Sequence, residues 1–406
     1  MVTSKRSAGS PRPFEIDTSA DVSFIGPLPN RALPVWCGPL PDELFSSWLV
    51  RLAWLNAEKL HTFKRRFWRQ KGSPWGYNLD LALSEDALAR VASMAQVAPE
   101  VLAAHTLWPY LGRLFENVDQ VGAGRGLLLG KHRGQRVLGF GLQMCPDCLR
   151  ADSIPYFRRG WKVAYLVACP LHGRLLEDAC PNCHRPIAYH LADFGKALLP
   201  ERVPTAFCAS CGHSWASNTA IWEQVPDAFL EWQERLQSAL ETGWIESRQA
   251  GPIYALSFFE GLRVLIRLLT AKGRLGCLRD IVAREIGFLP FGVTSDGNRN
   301  HFCGLRLGER FYILRYAHWL LEEWPERFIW ACKAANLAFS YIESYRDRAP
   351  MPYWVASVAA LARDFRHSKI SNEERECVKC FLSSRGILAS ANQIGRWMGR
   401  WYVKRH

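Results

Sequence analysis

The chain has 406 residues, enough for two to three domains at about 150 residues each, and its 49% hydrophobic and 22% charged residues make a globular composition. Lys plus Arg is 51 and Asp plus Glu is 38, a net charge of +13 that is compatible with a nucleic-acid partner but does not require one. The longest uncharged apolar run, Tyr353–Ala362, stops far short of the about 18–20 residues of a membrane span, which excludes an integral helical membrane protein.

Residues 1–30 have no apolar core; they read as a flexible tail, not a signal peptide, and the chain is expected in the cytosol. Residues 31–143 read as an N-terminal helical domain. In Glu43–Asn56, Leu44, Phe45, Trp48, Leu49, Leu52 and Leu55 recur at three- and four-residue steps, with Asp42 as N-cap. A second helix is expected over Lys59–Gln70. Ser84 caps a third that runs to Gln96, and Pro99 opens a fourth through Trp108, a helix-turn-helix-like arrangement. Its second helix offers Glu100, His105 and Thr106 but no cation, which favours packing or protein contact over DNA, whose phosphates demand cations. Lys64, Arg65, Arg66 and Arg69 are the better phosphate candidates, although they cannot all share one helix face. The Gly-rich basic stretch Gly122–Gly141 lacks the P-loop spacing, since Gly130-Lys131 is followed by His132, and reads as a linker.

Residues 144–222 hold the strongest signal. Cys145-Pro-Asp-Cys148, Cys169-Pro-Leu-His172, Cys180-Pro-Asn-Cys183 and Cys208-Ala-Ser-Cys211 are four ligand pairs with two residues between ligands. Such pairs aim two donors at one ion, and Pro, Asn and Asp favour the tight turn. Paired in chain order they give Cys145, Cys148, Cys169 and His172, then Cys180, Cys183, Cys208 and Cys211. Each set closes a tetrahedral Zn²⁺ shell, so two structural zinc ions are expected. An interleaved pairing is the alternative, and His184 or His213 could replace a neighbouring cysteine. Tyr156, Phe157, Trp161 and Tyr165 read as a small core over the zinc, with base stacking the sharper alternative.

Residues 223–406 read as an all-helical domain, with segments near 226–242, 255–271, 274–286, 309–323, 325–345, 352–366, 372–385 and 390–403. From Cys377 to the end there are six cations (Lys379, Arg385, Arg396, Arg400, Lys404 and Arg405) and no Asp or Glu. Gly386 ends one helix and Ser390 caps the next, a second helix-turn-helix-like unit. Its readings are nucleic-acid contact, a Trp-packed helix with ordinary exposure, or an acidic protein partner. Cys377-Val-Lys-Cys380 has no partner pair; these cysteines, with Cys37, Cys277, Cys303 and Cys332, read as core thiols.

The run from Cys145 to His190, followed by Cys208-Ala-Ser-Cys211-Gly-His, resembles the TniQ/TnsD family. So does the upstream segment with a Leu-Pro before Glu43, Leu44, Ser46, Ser47, Trp48, Leu49, Arg51, Leu52 and Ala53. The resemblance covers about residues 33–215. It implies a non-catalytic accessory protein of DNA transposition that selects the target site and recruits a transposon AAA+ ATPase and then the transposase. Some members read DNA directly, some join a guide RNA effector complex as homodimers, and some belong to transposons that insert beside resolvase sites. The eight zinc ligands carry over. The expected fold is mainly α with small zinc-binding β/loop modules.

No nucleotide loop, Gly-x-Ser-x-Gly elbow or His-Glu-x-x-His is present, so no enzyme is expected. A stand-alone zinc-ribbon transcription regulator is the alternative reading, and a metal-dependent nuclease a third.

Overall fold

The buried face of the first helix is built from the periodic residues of the sequence. Helix α1 (Phe45–Leu55) buries Phe45, Trp48, Leu49 and Leu52 completely. It starts at Leu44, which makes no side-chain cap, so Asp42 is not the N-cap. Asp42 has φ +55° instead, and its carboxylate accepts from Arg159 Nε at 2.7 Å. The cap comes from 34 residues downstream: Asp80 accepts from Ser46 N (2.7 Å) and Ser46 Oγ (2.8 Å). A carboxylate at a helix N-terminus satisfies orphan amides and meets the positive end of the dipole.

The computed structural model describes residues 33–66, 78–117, 125–128, 130–133, 136–192, 203–217, 225–247, 251–271, 276–287, 302–337, 351–364 and 372–386. They are mostly helical, with few strands, and fall into two compact units. Among them no helix is long and apolar enough to cross a membrane.

The first unit runs to Ile245 and adds Tyr254–Leu256 and Val293–Leu314. After α1 come α2 (Leu60–Lys64), α3 (Leu79–Ala82), α4 (Glu85–Ala95) and α5 (Pro99–Ala104). Helix α2 is shorter than the Lys59–Gln70 expectation, although residues from 67 lie outside the described set. Ser84 Oγ accepts from Ala87 N at 3.3 Å, as its N-cap position predicts, and Pro99 takes the first position of α5. The Gly-rich stretch is not a plain linker. Lys131–Arg133 (β1) and Arg136–Leu138 (β2) pair antiparallel, and the buried Leu127 and Leu128 dock on 162–163 through Leu128 N to Lys162 O at 2.8 Å.

Next follow α6 (Pro146–Ala151), the antiparallel pair β3 (Ala168–Cys169) and β4 (Arg174–Leu175), and α7 (Asp227–Thr242), which ends at Gly243 with φ +86°. Gln233, fully buried on α7, accepts from Val167 N (2.7 Å) and Ala168 N (3.2 Å) and donates to Tyr165 O (3.1 Å). One side chain thereby holds the helix to the cysteine-bearing segment.

The C-terminal part is not all-helical: a two-stranded ribbon, β5 (Trp244–Ser247) and β6 (Gly251–Tyr254), precedes α8 (Ala255–Thr270). Then come α9 (Gly276–Ile286), α10 (Leu307–Glu322), α11 (Glu326–Ala334), α12 (Tyr353–Asp364) and α13 (Asn372–Ser384). Helix α11 ends at Ala334, short of the expected 345, with residues from 338 outside the described set.

The second unit comprises Glu246–Ile253, Ser257–Gly292 and Arg315–His406. Its core includes Phe258, Leu262, Leu265, Leu278, Trp324, Phe328 and Trp354. Trp354 stacks on Phe258 and lies directly over Gly261, where a Cβ would meet its ring at 2.0 Å. Glycine in mid-helix weakens the helix by about 1 kcal/mol, and here that is the condition for the close approach.

Candidate metal centres

The four ligand pairs fold into turns of a common design. In three of them the residue four after the first cysteine lies in the left-handed region: Gly173 (φ +60°), His184 (+56°) and Gly212 (+72°). That residue reverses the chain so that the first cysteine pairs with the residue five ahead. Cys180 N donates to Arg185 O and Cys208 N to His213 O, both at 2.8 Å, and Cys169 pairs with Arg174. The remaining pair, Cys145 and Cys148, opens α6, where Pro146 takes the first helical position and Leu149 N reaches Cys145 O at 3.2 Å.

Two of these turns meet in each set. Met144 and Glu177 exchange both backbone hydrogen bonds (2.8 and 2.7 Å), which brings the start of α6 against the β3–β4 turn. His172 Nδ1 then lies 3.5, 3.3 and 3.5 Å from the sulfurs of Cys145, Cys148 and Cys169, and Cys148 Sγ lies 3.6 Å from Cys169 Sγ. In the second set, Cys180 Sγ lies 3.6 Å from Cys211 Sγ and Cys183 Sγ 3.7 Å from Cys208 Sγ. Within each set all four ligand atoms lie within 4.8 Å of one another. The ligand atoms cluster in the chain-order groups, not in the interleaved ones. His213 Nε2 instead lies 3.3 Å from Ser217 Oγ, and neither His213 nor His184 joins a set.

The electrostatics of the first set suit a cation. Hydrogen bonds from Cys145 and Cys148 hold the Cys169 thiol down at about 3, and Cys145 and Cys169 push Cys148 well above the ordinary thiol range. One thiolate forms readily, but a second beside it is repelled. A divalent ion removes that repulsion, so the cluster could hold a metal with every ligand deprotonated.

The first set sits on a buried polar seam. Glu43, fully buried, accepts from Arg51 Nη2 (2.7 Å), Arg51 Nε (2.9 Å), Ser47 Oγ (2.9 Å) and Leu40 N (2.9 Å). Ser47 Oγ in turn accepts from Phe157 N at 3.1 Å, and Leu44 N donates to Phe157 O at 2.7 Å. The loop between Cys148 and Cys169 is thereby fastened to α1. Tyr156, Phe157, Trp161 and Tyr165 are all buried, which agrees with their reading as core. Phe157 packs on Trp161 and Tyr189 at 5.5 and 4.5 Å between ring centroids.

Residues 34–176 match the TniQ family profile. The chain carries a TniQ domain. This is the family that the motif residues resemble, and the matched segment holds α1 through β4, the Glu43–Arg51 pair and the whole first ligand set. The second set lies just beyond it. No curated protein matches the chain.

Of the nine cations expected to meet nucleic acid, four lie among the described residues. Within the TniQ domain, burial pulls Lys64 down, followed by repulsion from Arg65; Arg65 is exposed; Arg66 pairs with Glu58. Arg385, beyond the TniQ domain, lies over the Phe381 ring at 4.7 Å. Arg69, Arg396, Arg400, Lys404 and Arg405 lie outside the described residues. In and just after α5, Thr106 is buried and His105 Nδ1 bonds Glu43 O at 2.8 Å, so of the three polar residues read there only Glu100 stays exposed.

The core-thiol reading fails for Cys277, Cys377 and Cys380, which are exposed, and holds for the buried Cys37; Cys303 and Cys332 are intermediate. Sequence reasoning also missed the Glu43–Ser47–Arg51 network. Its signal was three polar residues at four-residue steps beside the apolar stripe of a helix. The buried Arg310 was missed as well; it donates to Gln143 Oε1 and Ala164 O, each at 3.1 Å. Its partners stand more than 140 residues away in sequence, and no local pattern marks them.

Proposed function

We propose that this TniQ-domain protein is an accessory factor of DNA transposition that acts at target selection, with two structural zinc ions. The TniQ domain supports a transposition-associated accessory role. The further reading is that the protein marks the target DNA, alone or on a target-recognition complex such as a guide RNA effector or a resolvase. It then passes that position to a transposon AAA+ ATPase and the transposase, acting as a homodimer.

The observation that carries the structural-zinc reading is the donor geometry. One set offers three sulfurs and a nitrogen, the other four sulfurs, each within 4.8 Å. Such soft, four-donor sets suit zinc, and four protein ligands fill a tetrahedron with no position left for a reactive water. The ions would therefore hold turns together, and the protein would work by binding, without catalysis.

The test is insertion in cells that carry the transposon's neighbouring genes, combined with nuclease-treated affinity purification of the tagged protein. The expected outcome is loss of targeted insertion on deletion of this chain, and co-purification of the AAA+ ATPase after nuclease treatment. Targeted insertion that persists without the chain would overturn the role.

A further inference from the structure

The second unit holds a pocket apart from the metal centres. Glu285 from α9, Trp319 from α10, Glu323 just after it, and Glu326, Arg327 and Trp330 from α11 line a shallow hollow of about 230 Å³. Trp319 and Trp330 meet edge to face, with ring centroids 6.1 Å apart. Trp330 is 44% exposed, a large indole surface left in water.

Arg327 shows which chemistry the lining accepts. Its guanidinium carbon lies 4.8 Å from the Trp319 ring centroid, and it pairs with Glu322 and with Glu323 at 2.5 Å. A guanidinium over an indole, flanked by carboxylates, combines cation–π attraction with charged hydrogen bonds. Trp319 and Glu323 are thus engaged. Trp330 has its indole exposed, and Glu285 and Glu326 have no ion-pair partner among the described residues. The pocket presents a second set of the same parts, one indole and two carboxylates, without a cation.

We propose that this pocket docks an arginine side chain from a basic segment of a partner protein. Arginine fits better than lysine because its planar group stacks on an indole while donating to two carboxylates. A nucleic acid is disfavoured, since carboxylates outnumber cations in the lining and repel phosphate. The chain as a whole is +13, so a basic partner is repelled elsewhere and drawn to this acidic hollow. The inference goes beyond the target-selection reading and does not rest on it.

The test uses the full-length protein and a fluorescein-labelled nine-residue peptide of alternating arginine and glycine. A peptide with citrulline at each arginine supplies the same shape without charge. The arginine peptide should bind at low salt, and the citrulline peptide should not. Trp330→Ala should weaken binding about tenfold, the range of one partly desolvated cation–π contact. Glu285→Gln with Glu326→Gln should weaken it as well and flatten its salt dependence, whereas Glu231→Gln on α7 should change nothing. Equal binding by Trp330→Ala, equal binding of the citrulline peptide, or no binding of the arginine peptide would each overturn the proposal. If Trp330→Ala abolishes self-association of the chain, the occupant is a second copy and the partner reading falls.

Discussion

Three of the four ligands in the Cys145–His172 set are buried, while in the Cys180–Cys211 set Cys183 and Cys211 are half-exposed. The neighbours differ more. The first set is laced by the Met144–Glu177 exchange and by Arg174, which pairs with Asp147 (3.0 Å) and Glu177 (2.8 Å). Its intervening loop is fixed to α1 through Phe157 and Ser47. The second set closes two turns that no ion pair among the described residues ties to the rest of the unit, although its flanking segments, with the fully buried Thr205 and Trp215, do reach the core. Arg150 Nε donates to Ala216 O at 2.9 Å, and Thr205 Oγ1 to Pro155 O at 2.6 Å. Equal ligand spacing therefore does not mean equal structural weight. The first set is part of the helical core of the TniQ domain, whereas the turns of the second are more exposed and only its flanking segments reach that core.

This difference predicts unequal consequences. The largest follows from Cys148→Ser. A structural zinc contributes on the order of 10 kcal/mol in isolated peptides, as much as the total stability of a typical domain. The variant should lose one metal and most of the hydrogen-exchange protection of α1. Cys180→Ser should also lose one metal, yet leave α1 protected, with exchange rising only around the second set. If both variants unprotect α1 equally, the distinction between the two sets is wrong.

Glu43→Gln comes next. It leaves Arg51 buried without its counter-charge, which costs about 3–5 kcal/mol and should lower the urea midpoint accordingly. It should also speed metal loss from the first set and leave the second unchanged. Arg174→Met removes two partly buried ion pairs that tie the turns of the first set, a change of about 1 kcal/mol measurable as faster metal release to a chelator. The smallest effect is a gain: His184→Gly relieves a left-handed non-glycine residue and should stabilise the second set by up to about 1 kcal/mol, read as a slower release of its metal.

Local chemistry was legible in the sequence, and long-range chemistry was not. Ligand spacing picked out both clusters and their chain-order grouping, because each turn is specified by a few adjacent residues. Ser84 and Pro99 marked helix starts for the same reason. Asp42 looked like a cap by position, but Asp80 takes the Ser46 amide of α1 and His105 O the Phe45 amide, roles that depend on the folded chain. The glycines of 122–141 suggested a linker, since a strand pair of three residues each has no periodicity to read. Cys377 and Cys380 looked apolar by type, while their helix leaves them in water.

The most direct test of the two candidate metal centres is native mass spectrometry of the freshly purified full-length chain. The predicted result is a mass increment of two zinc ions per chain, falling to one in Cys148→Ser and to one in Cys180→Ser. A metal-free mass for a folded wild-type chain would contradict it.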